Sequence, residues 1–498
     1  MSEPAGGRRR EGRSTNRPRR AVAAPEVPDA WISPVDDEAG LDDLLGRLAA
    51  TDRYGFDTEF HREKTFYPRV ALVQLSWREP PAAGSSEPPR THAALVDPLA
   101  VRIGPFADLL RKPVTMVVHA AEQDLEILHH LCGTGPVSLF DTQVAAGFAG
   151  HSSASLADLV RHYLGFDLPK ADRLTDWSAR PLGSSQLRYA VADVAFLLDL
   201  DQAIREDLER RGRLAWAEEE CDLLRRRAAR PPDPDRAWWR LHDARALRGA
   251  SRGVAQVLAR WREERARRLD VPQRFVLPDL ALQAIAHRPP ADRAQLDAAR
   301  GMEPRFLRDG AAEEILDAVA RGLELNPGSV QPPPAEDVPK DLRPAVSLAM
   351  AWLGQLARNE DVDPATLATR SDVVDLLLGR GGRLYEGWRA ELVGEPIWRL
   401  VAGFASVAYD GAGNLVLEER SYQALEPFAA VPGEEPATGE AETTGEAAAT
   451  GEAATTGEAA TTGEAEVPGE AEVPGESPAT GEEPAETDLA RDAAGSDA

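Results

Sequence analysis

The sequence predicts an α/β mixed-sheet domain followed by all-α helical domains, framed by a disordered N-terminal arm and a disordered acidic C-terminal tail. Three observations carry this. Four apolar runs of strand length stand close together between residues 54 and 118. From about residue 211 the strand pattern gives way to helical periodicity. Both ends of the chain lack the large apolar side chains from which a core is built.

Taken in order, residues 1–28 are Arg, Gly and Pro without periodicity and read as a disordered basic arm. Strands follow at 54–60, 70–77, 92–96 and 115–118. The first three, separated only by turns, form an antiparallel meander. The insert REPPAAGSSEPPR between the second and third is a loop by its Pro and Gly content. The fourth strand feeds a helix, AAEQDLEILHHL, with Asp124 in its second turn and Leu125, Leu128 and Leu131 turned to the core. Asp141 caps the helix after it, and a later helix in SSQLRYAVADVAFLLDL takes Ser184 or Ser185 as its cap. These elements form one domain over 29–210.

Beyond it, AWWRLHDARAL, GVAQVLARWREERARRL, VLPDLALQAIAHRPP and DRAQLDAARG are helices of a first helical domain, 234–306. On the second of these, Val254, Val257, Leu258 and Trp261 face a core, and Arg260, Arg262, Arg265, Arg267 and Arg268 lie mainly outside. A Pro-rich linker, 326–340, leads to a second helical domain, 341–425, in which Trp388 and Trp398 are core residues. The tail, 431–498, repeats TTGEA and EVPGE and forms no core.

Charge is divided as unevenly as hydropathy. The net −26 at first argues against a nucleic-acid partner, yet residues 431–498 hold 18 acidic residues and one arginine, a net −17. Residues 223–308 hold 20 arginines against 10 acidic residues, and the first 20 residues hold seven arginines and two glutamates. Two basic segments of the kind that phosphate backbones attract therefore sit inside an acidic chain. The tail either mimics nucleic acid on the basic helices or keeps the chain soluble, and solubility is the simpler role. Two cysteines are too few for a disulfide framework or a thiolate metal site. With no signal peptide and no run of 18 apolar residues, the expected compartment is the cytoplasm, with no membrane partner.

In a strand, residues i and i+2 face the same way, so in FDTEF the Asp57 and Glu59 side chains share one face, about 7 Å apart. An isolated D-x-E is far more often the polar face of a solvated edge strand. Asp124, and Tyr189 with Asp193 one helical turn apart, extend the set to four carboxylates and a phenol. Oxygen ligands in this number suit Mg²⁺ or Mn²⁺, and no Cys/His cluster competes for zinc. Two such ions about 4 Å apart activate water on one side of a phosphodiester and stabilise the leaving oxygen on the other. His61, His119 and Gln123 read as structural hydrogen-bonding groups. Phe60, Gln74 and Trp177 read as packing around the site, with contact to a terminal base or ribose as the alternative.

FDTEF, HAAEQDLEIL and YAVADVAFLL, with DTQVAAGF and LTDWSARPLGSSQLRYA between the last two, resemble the motifs of the ribonuclease D family within the DEDD superfamily of 3′-to-5′ exonucleases. Residues 234–306 resemble the helicase and ribonuclease D C-terminal (HRDC) domain, and the third segment resembles its divergent second copy. The resemblance implies a ribonuclease H-like exonuclease domain. Asp57, Glu59, Asp124 and Asp193 would bind two ions, Mg²⁺ or Mn²⁺, and Tyr189 would hold the attacking water. The implied activity is metal-dependent 3′-to-5′ exoribonuclease cleavage of structured RNA, tRNA precursors above all, releasing 5′-monophosphates. Alternatives are a single-strand DNA exonuclease and a non-catalytic nucleic-acid-binding module. No protein partner is implied, and a monomer is expected. A chain ending near Pro304 is expected to keep RNA binding, and one ending near Arg210 to keep hydrolysis.

Overall fold

A computed structural model of the chain describes residues 22–79, 89–169, 175–230, 232–333 and 338–420. The arm up to residue 21, most of the REPPAAGSSEPPR insert, part of the Pro-rich linker and the tail from residue 421 lie outside these.

Ten strands occur among the described residues: β1 (Val22–Ala23), β2 (Pro34–Val35), β3 (Arg53–His61), β4 (Arg69–Glu79), β5 (Arg90–Val96), β6 (Thr115–Val118), β7 (Ser138–Asp141), β8 (Phe166–Asp167), β9 (Ala405–Tyr409) and β10 (Leu415–Glu419). Six make the main sheet in the order β2-β5-β4-β3-β6-β7. The pairs β3–β4 and β4–β5 are antiparallel, and β2–β5, β3–β6 and β6–β7 are parallel. The expected meander and the strand-to-helix unit are thus both present. Strand β7, the two-residue edge strand β2 and the two-residue pair β1–β8 were not foreseen, the two-residue strands because they carry too little alternation to register.

The sheet is covered on both faces, and alternation along β3 decides what each face receives. Phe56, with Leu75 and Val118, meets Leu41, Leu44 and Leu48 of the helix Glu38–Ala49 and Leu125 and Leu128 of the helix Glu122–Cys132. The opposite face, carrying Leu72 and Leu95, is sealed by Val191 and Val194 of the helix Ser184–Ala195 together with Trp177 and Leu182. Strand β6 pairs with β3 only over Arg53, Tyr54 and Gly55. From Asp57 onward β3 therefore runs past its parallel neighbour, and its side chains reach helices on both faces.

The first helical set has its own core, from Ala237 and Trp238 through Val254, Leu258, Leu282 and Ile285 to Ile315, Val319 and Val330. Its long helices, Ala250–Leu269 and Ala311–Glu324, touch backbone to backbone. A Cβ on Gly253 would lie 2.2 Å from the Gly322 carbonyl oxygen, and one on Gly322 2.5 Å from Val254 Cα. The helix periodicity misplaced two arginines: Arg262 and Arg265 are buried. Arg262 donates to Asp279 Oδ1 at 2.5 Å and to the Leu277 carbonyl, while Arg265 donates to Glu314 Oε1 and to the Asp309 carbonyl. A guanidinium is buried where carboxylates and carbonyls meet its fork of donors, and a hydropathy pattern carries no trace of partners 15 to 50 residues away.

The last helices, Arg343–Glu360 onward, share one core with the nuclease body. Val346, Leu353, Leu367, Val373, Trp388 and Ile397 pack with Phe140, Phe148, Leu159, Leu200, Ile204, Ala217 and Cys221. Trp388 is buried as expected, whereas Trp398 is exposed and stacks at a tilt on Phe404. The antiparallel hairpin β9–β10 adds strands to a segment expected to be helical throughout. Both expected truncations therefore change. Ending near Pro304 removes the Ala311–Glu324 half of the first bundle, and ending near Arg210 strips the nuclease of Ala217 and Cys221 and of all the packing beyond them.

Candidate active site

Asp57 and Glu59 leave β3 on the face sealed by the helix Ser184–Ala195, which carries Tyr189 and Asp193. Between them Thr58 points to the other face, where its hydroxyl donates to Asp124 Oδ1 at 2.5 Å. Asp124 lies in the first turn of its helix, not the second, because the helix begins at Glu122. The serines expected to cap the helix Ser184–Ala195 do not do so; Gln186 instead reaches back to accept from the Gly183 N–H at 2.7 Å.

The turn that delivers Asp124 is held by Asp141. Its buried carboxylate accepts from the N–H groups of Ala120 and Ala121 as well as from Gln143 and Val144 at the helix it caps. Ala120 sits at φ 62, a left-handed conformation that costs a non-glycine residue about 1–3 kcal/mol, and the two Asp141 bonds hold the turn there. The N-cap reading of Asp141 was correct but incomplete. His119, kept neutral by burial, bonds through Nδ1 to the Thr142 hydroxyl, and His61 lies 3.4 Å from Asp176. His119 thus makes the structural bond expected of it, whereas His61 Nε2 is buried without a hydrogen-bond partner.

The four carboxylates raise one another's proton affinity. Burial, then the charges of Asp124, Asp193 and Glu59, lift Asp57 well above the ordinary carboxylate range. Burial and the Asp124 charge raise Glu59 to about 7, and burial raises Asp124 to about 7 against the opposing Thr58 bond. Asp193 rises to about 8 through burial and the Glu59 charge, opposed by the Tyr189 hydroxyl. Burial and the charges of Asp193 and Glu59 push the Tyr189 phenol upward in turn. No arginine or lysine among the described residues relieves this repulsion at any of the four. Among the described residues no three acidic, imidazole or thiol groups already converge on one point. The donors are all hard oxygens and the unmet charge is negative, so the set fits divalent cations that would draw the carboxylates inward.

Residues 32–209 match a family model described as 3′-5′ exonuclease, and residues 251–319 match the HRDC domain. The second match runs past the expected bound of 306 and into the helix Ala311–Glu324. A ribonuclease D of Gluconacetobacter diazotrophicus is 36% identical over 380 residues, 74% of this chain and 93% of that protein. That of Jannaschia sp. is 37% identical over 378 residues, 74% of this chain and 95% of its own length. The chain belongs to the ribonuclease D family. It superposes on the crystal structure of Escherichia coli RNase D with a TM-score of 0.65 at 29% identity, over 74% of this chain and 98% of that one. As a ribonuclease D it is a 3′-to-5′ exoribonuclease with an RNA-binding HRDC domain. Its described residues contain no helix long and apolar enough to cross a membrane.

What the sequence reading of this ribonuclease D left out is the layer behind the carboxylates. Thr58 was visible inside FDTEF, and alternation already turned it away from Asp57, but its partner lies 66 residues on. The double duty of Asp141 had no local signal at all, because it depends on β7 lying beside β6.

Proposed function

We propose that this ribonuclease D trims nucleotides from the 3′ end of structured RNA, tRNA precursors with 3′ extensions foremost, as a monomer and through two divalent ions, Mg²⁺ or Mn²⁺. Asp57, Glu59, Asp124 and Asp193 hold the ions, and Tyr189 positions the water. The observation that carries this is the uncompensated group of four carboxylates, whose repulsion only added positive charge relieves. The Escherichia coli relative, an exoribonuclease involved in structured RNA processing, supports the substrate class. The domain division we propose keeps the nuclease over 29–210, a linker at 326–340 and a second HRDC-type helical segment over 341–425, and extends the first HRDC-type bundle from 234 past 306 to take in the helix Ala311–Glu324.

Bound ions would lower the pKa of a water and stabilise the departing 3′ oxygen. The protein's own residues do the rest. Asp57 and Glu59 approach from one strand, Asp193 from the helix over the same face and Asp124 from the other face, so cations are gripped from both sides of β3. Tyr189, its phenol pushed above the ordinary value near 10, keeps its proton at neutral pH. It is therefore not the water's base; with its one proton donated to Asp193, its oxygen is left to accept from the water and orient it. Asp124 is held in aim by Thr58, and the turn that presents it is held by Asp141.

The test is Asp57→Asn in the full chain on a 3′-extended tRNA and on a matched DNA oligonucleotide, with Mn²⁺ supplied. The wild type releases 5′-mononucleotides from the RNA, and the variant folds but loses most turnover. DNA preferred over RNA would favour the DNA exonuclease reading. No release from either substrate by the wild type would leave a binding module, and full activity in the variant would remove Asp57 from the site.

A further inference from the structure

Gln74 lies wholly inside the protein, with no exposed surface, and neither its Oε1 nor its Nε2 has a hydrogen-bond partner. Two residues along β4, the Ser76 hydroxyl is equally buried and equally without a partner. Both project to the face sealed by Val191 and Val194, where Leu72 and Leu95 line the surroundings. A buried amide left unpaired costs about 1–3 kcal/mol, and methionine or leucine would fill the same space without that cost. The register shows what the amide is near. Gln74 stands directly opposite Asp57 in the antiparallel β3–β4 pair, and Ser76 directly opposite Gly55. Directly opposed side chains share a face with Cβ atoms about 4.5–5.5 Å apart, within reach of a glutamine amide and an aspartate carboxylate. Gly55 leaves room for this polar line: a Cβ there would sit 2.2 Å from Ser76 Oγ.

We propose that Gln74 is a positioning residue whose Nε2–H donates to the inner oxygen of Asp57, fixing that carboxylate so that its outer oxygen faces the cation. This rests on the reading of Asp57 as a metal-holding residue. Asp57 is the one carboxylate of the four placed opposite a buried neutral donor. Asp124 has Thr58 and Asp193 has Tyr189, so Gln74 completes a pattern in which these carboxylates are each steadied by an uncharged group. Carboxylates that bind metals are commonly fixed this way, and loss of the fixing group typically lowers metal affinity or activity about 10–100-fold. An uncharged donor suits the role, because a lysine or arginine at this place would cancel the charge that the cation needs.

The experiment compares full-length wild type, Gln74→Met, Asp57→Asn and the double variant. It uses thermal melting without metal, calorimetric titration with Mn²⁺ alone, and steady-state release of nucleotides. Gln74→Met keeps the side-chain length and removes both polar atoms. The expected result is an unchanged or higher melting temperature without metal, Mn²⁺ affinity lower by about ten-fold or more, and a lower kcat with KM little changed. In the Asp57→Asn background, Gln74→Met should add almost nothing to the loss of Mn²⁺ affinity. Wild-type Mn²⁺ affinity and kcat in Gln74→Met overturn the proposal, as does an equal loss in both backgrounds. If Gln74→Met does not fold, Gln74→Leu takes its place, and failure of both to fold makes the amide a packing group and also overturns it. Wild-type behaviour of Asp57→Asn itself would sink the site reading. A loss in Asp57→Asn with none in Gln74→Met sinks this inference alone.

Discussion

The Thr58 hydroxyl donates to Asp124 Oδ1 at 2.5 Å, joining the strand that carries two of the carboxylates to the helix that carries the third. The bond favours the charged form of Asp124 against burial. Thr58→Val keeps the shape and removes the donor. Mn²⁺ affinity and nucleotide release should each fall about 10–100-fold, with folding intact, and Thr58→Ser should recover most of both. Calorimetry and a release assay check this, and wild-type values in Thr58→Val would reduce the bond to scaffolding.

The raised carboxylates make the metal-free protein sensitive to pH. Their unfolded values lie near 4, and in the folded protein Glu59 and Asp124 titrate near 7 and Asp193 near 8. The folded state then binds more protons than the unfolded one between these limits, so stability is full below about pH 4 and is lost as pH rises through 7 to 8. Melting temperatures without metal should fall over that window more in the wild type than in Asp193→Asn, and Mn²⁺ should restore the difference. Turnover should rise over the same window as the carboxylates give up protons to take the cation. Parallel melting curves for the two proteins at every pH would contradict the assignment.

Tyr189→Phe separates positioning from binding. Removing the hydroxyl leaves the Tyr189 ring beside Trp177, with centroids 6.2 Å apart in the native pair, so packing is kept. The rate should fall by about 10²-fold or more, the scale of losing a positioned hydroxyl, while Mn²⁺ affinity, to which the Tyr189 bond to Asp193 contributes, falls by no more than about ten-fold. Single-turnover rates alongside Mn²⁺ titration read both.

Two kinds of arginine stand in the basic bundle. Arg265 is tied to Glu314 and Asp309, and Arg265→Gln should cost about 1–3 kcal/mol of bundle stability without changing the salt dependence of RNA binding in the folded fraction. Arg288 and Arg300 are exposed and, among the described residues, have no acidic partner. Arg288→Gln and Arg300→Gln should each leave melting unchanged and lower the slope of log affinity against log salt by about 0.7 where a single-strand phosphate is contacted. Equal slopes in both variants and the wild type would place RNA elsewhere.

Gly322→Ala tests the backbone contact between the two long helices of the bundle. The added methyl meets the backbone at Val254, which cannot turn aside as a flexible side chain would. A loss of about 1–3 kcal/mol, the usual scale of overpacking, should appear in denaturant melts of the variant.

Much of this was legible before any coordinates. The runs at β3, β4, β5 and β6 announce themselves because they alternate or are largely apolar over four residues or more, and the carboxylates stand out because strand and helix spacing aligns them. Arg262 and Arg265 were misread for a reason of principle. Periodicity sorts residues by polarity, and a buried guanidinium is polar by type and internal by virtue of partners such as Asp279 and Glu314. Leu131 and Trp398 fail in the opposite sense, as large apolar residues left exposed, because a helix ends or a neighbour stops short of them. Thr58, Gln74 and Asp141 act across strands and helices distant in sequence, and only the sheet register brings each to its carboxylate or turn.

The core common to Phe140, Phe148 and Ala217 on one hand and Leu353, Trp388 and Ile397 on the other sets a timetable. A chain leaves the ribosome N-terminus first and its domains generally fold as units in that order, yet here the wall behind the nuclease is finished by residues made some 200 positions after Asp193. The first helical bundle, with its separate core, can close while that wall is still missing. A nascent chain would thus hold the first helical bundle before the wall behind the nuclease is complete.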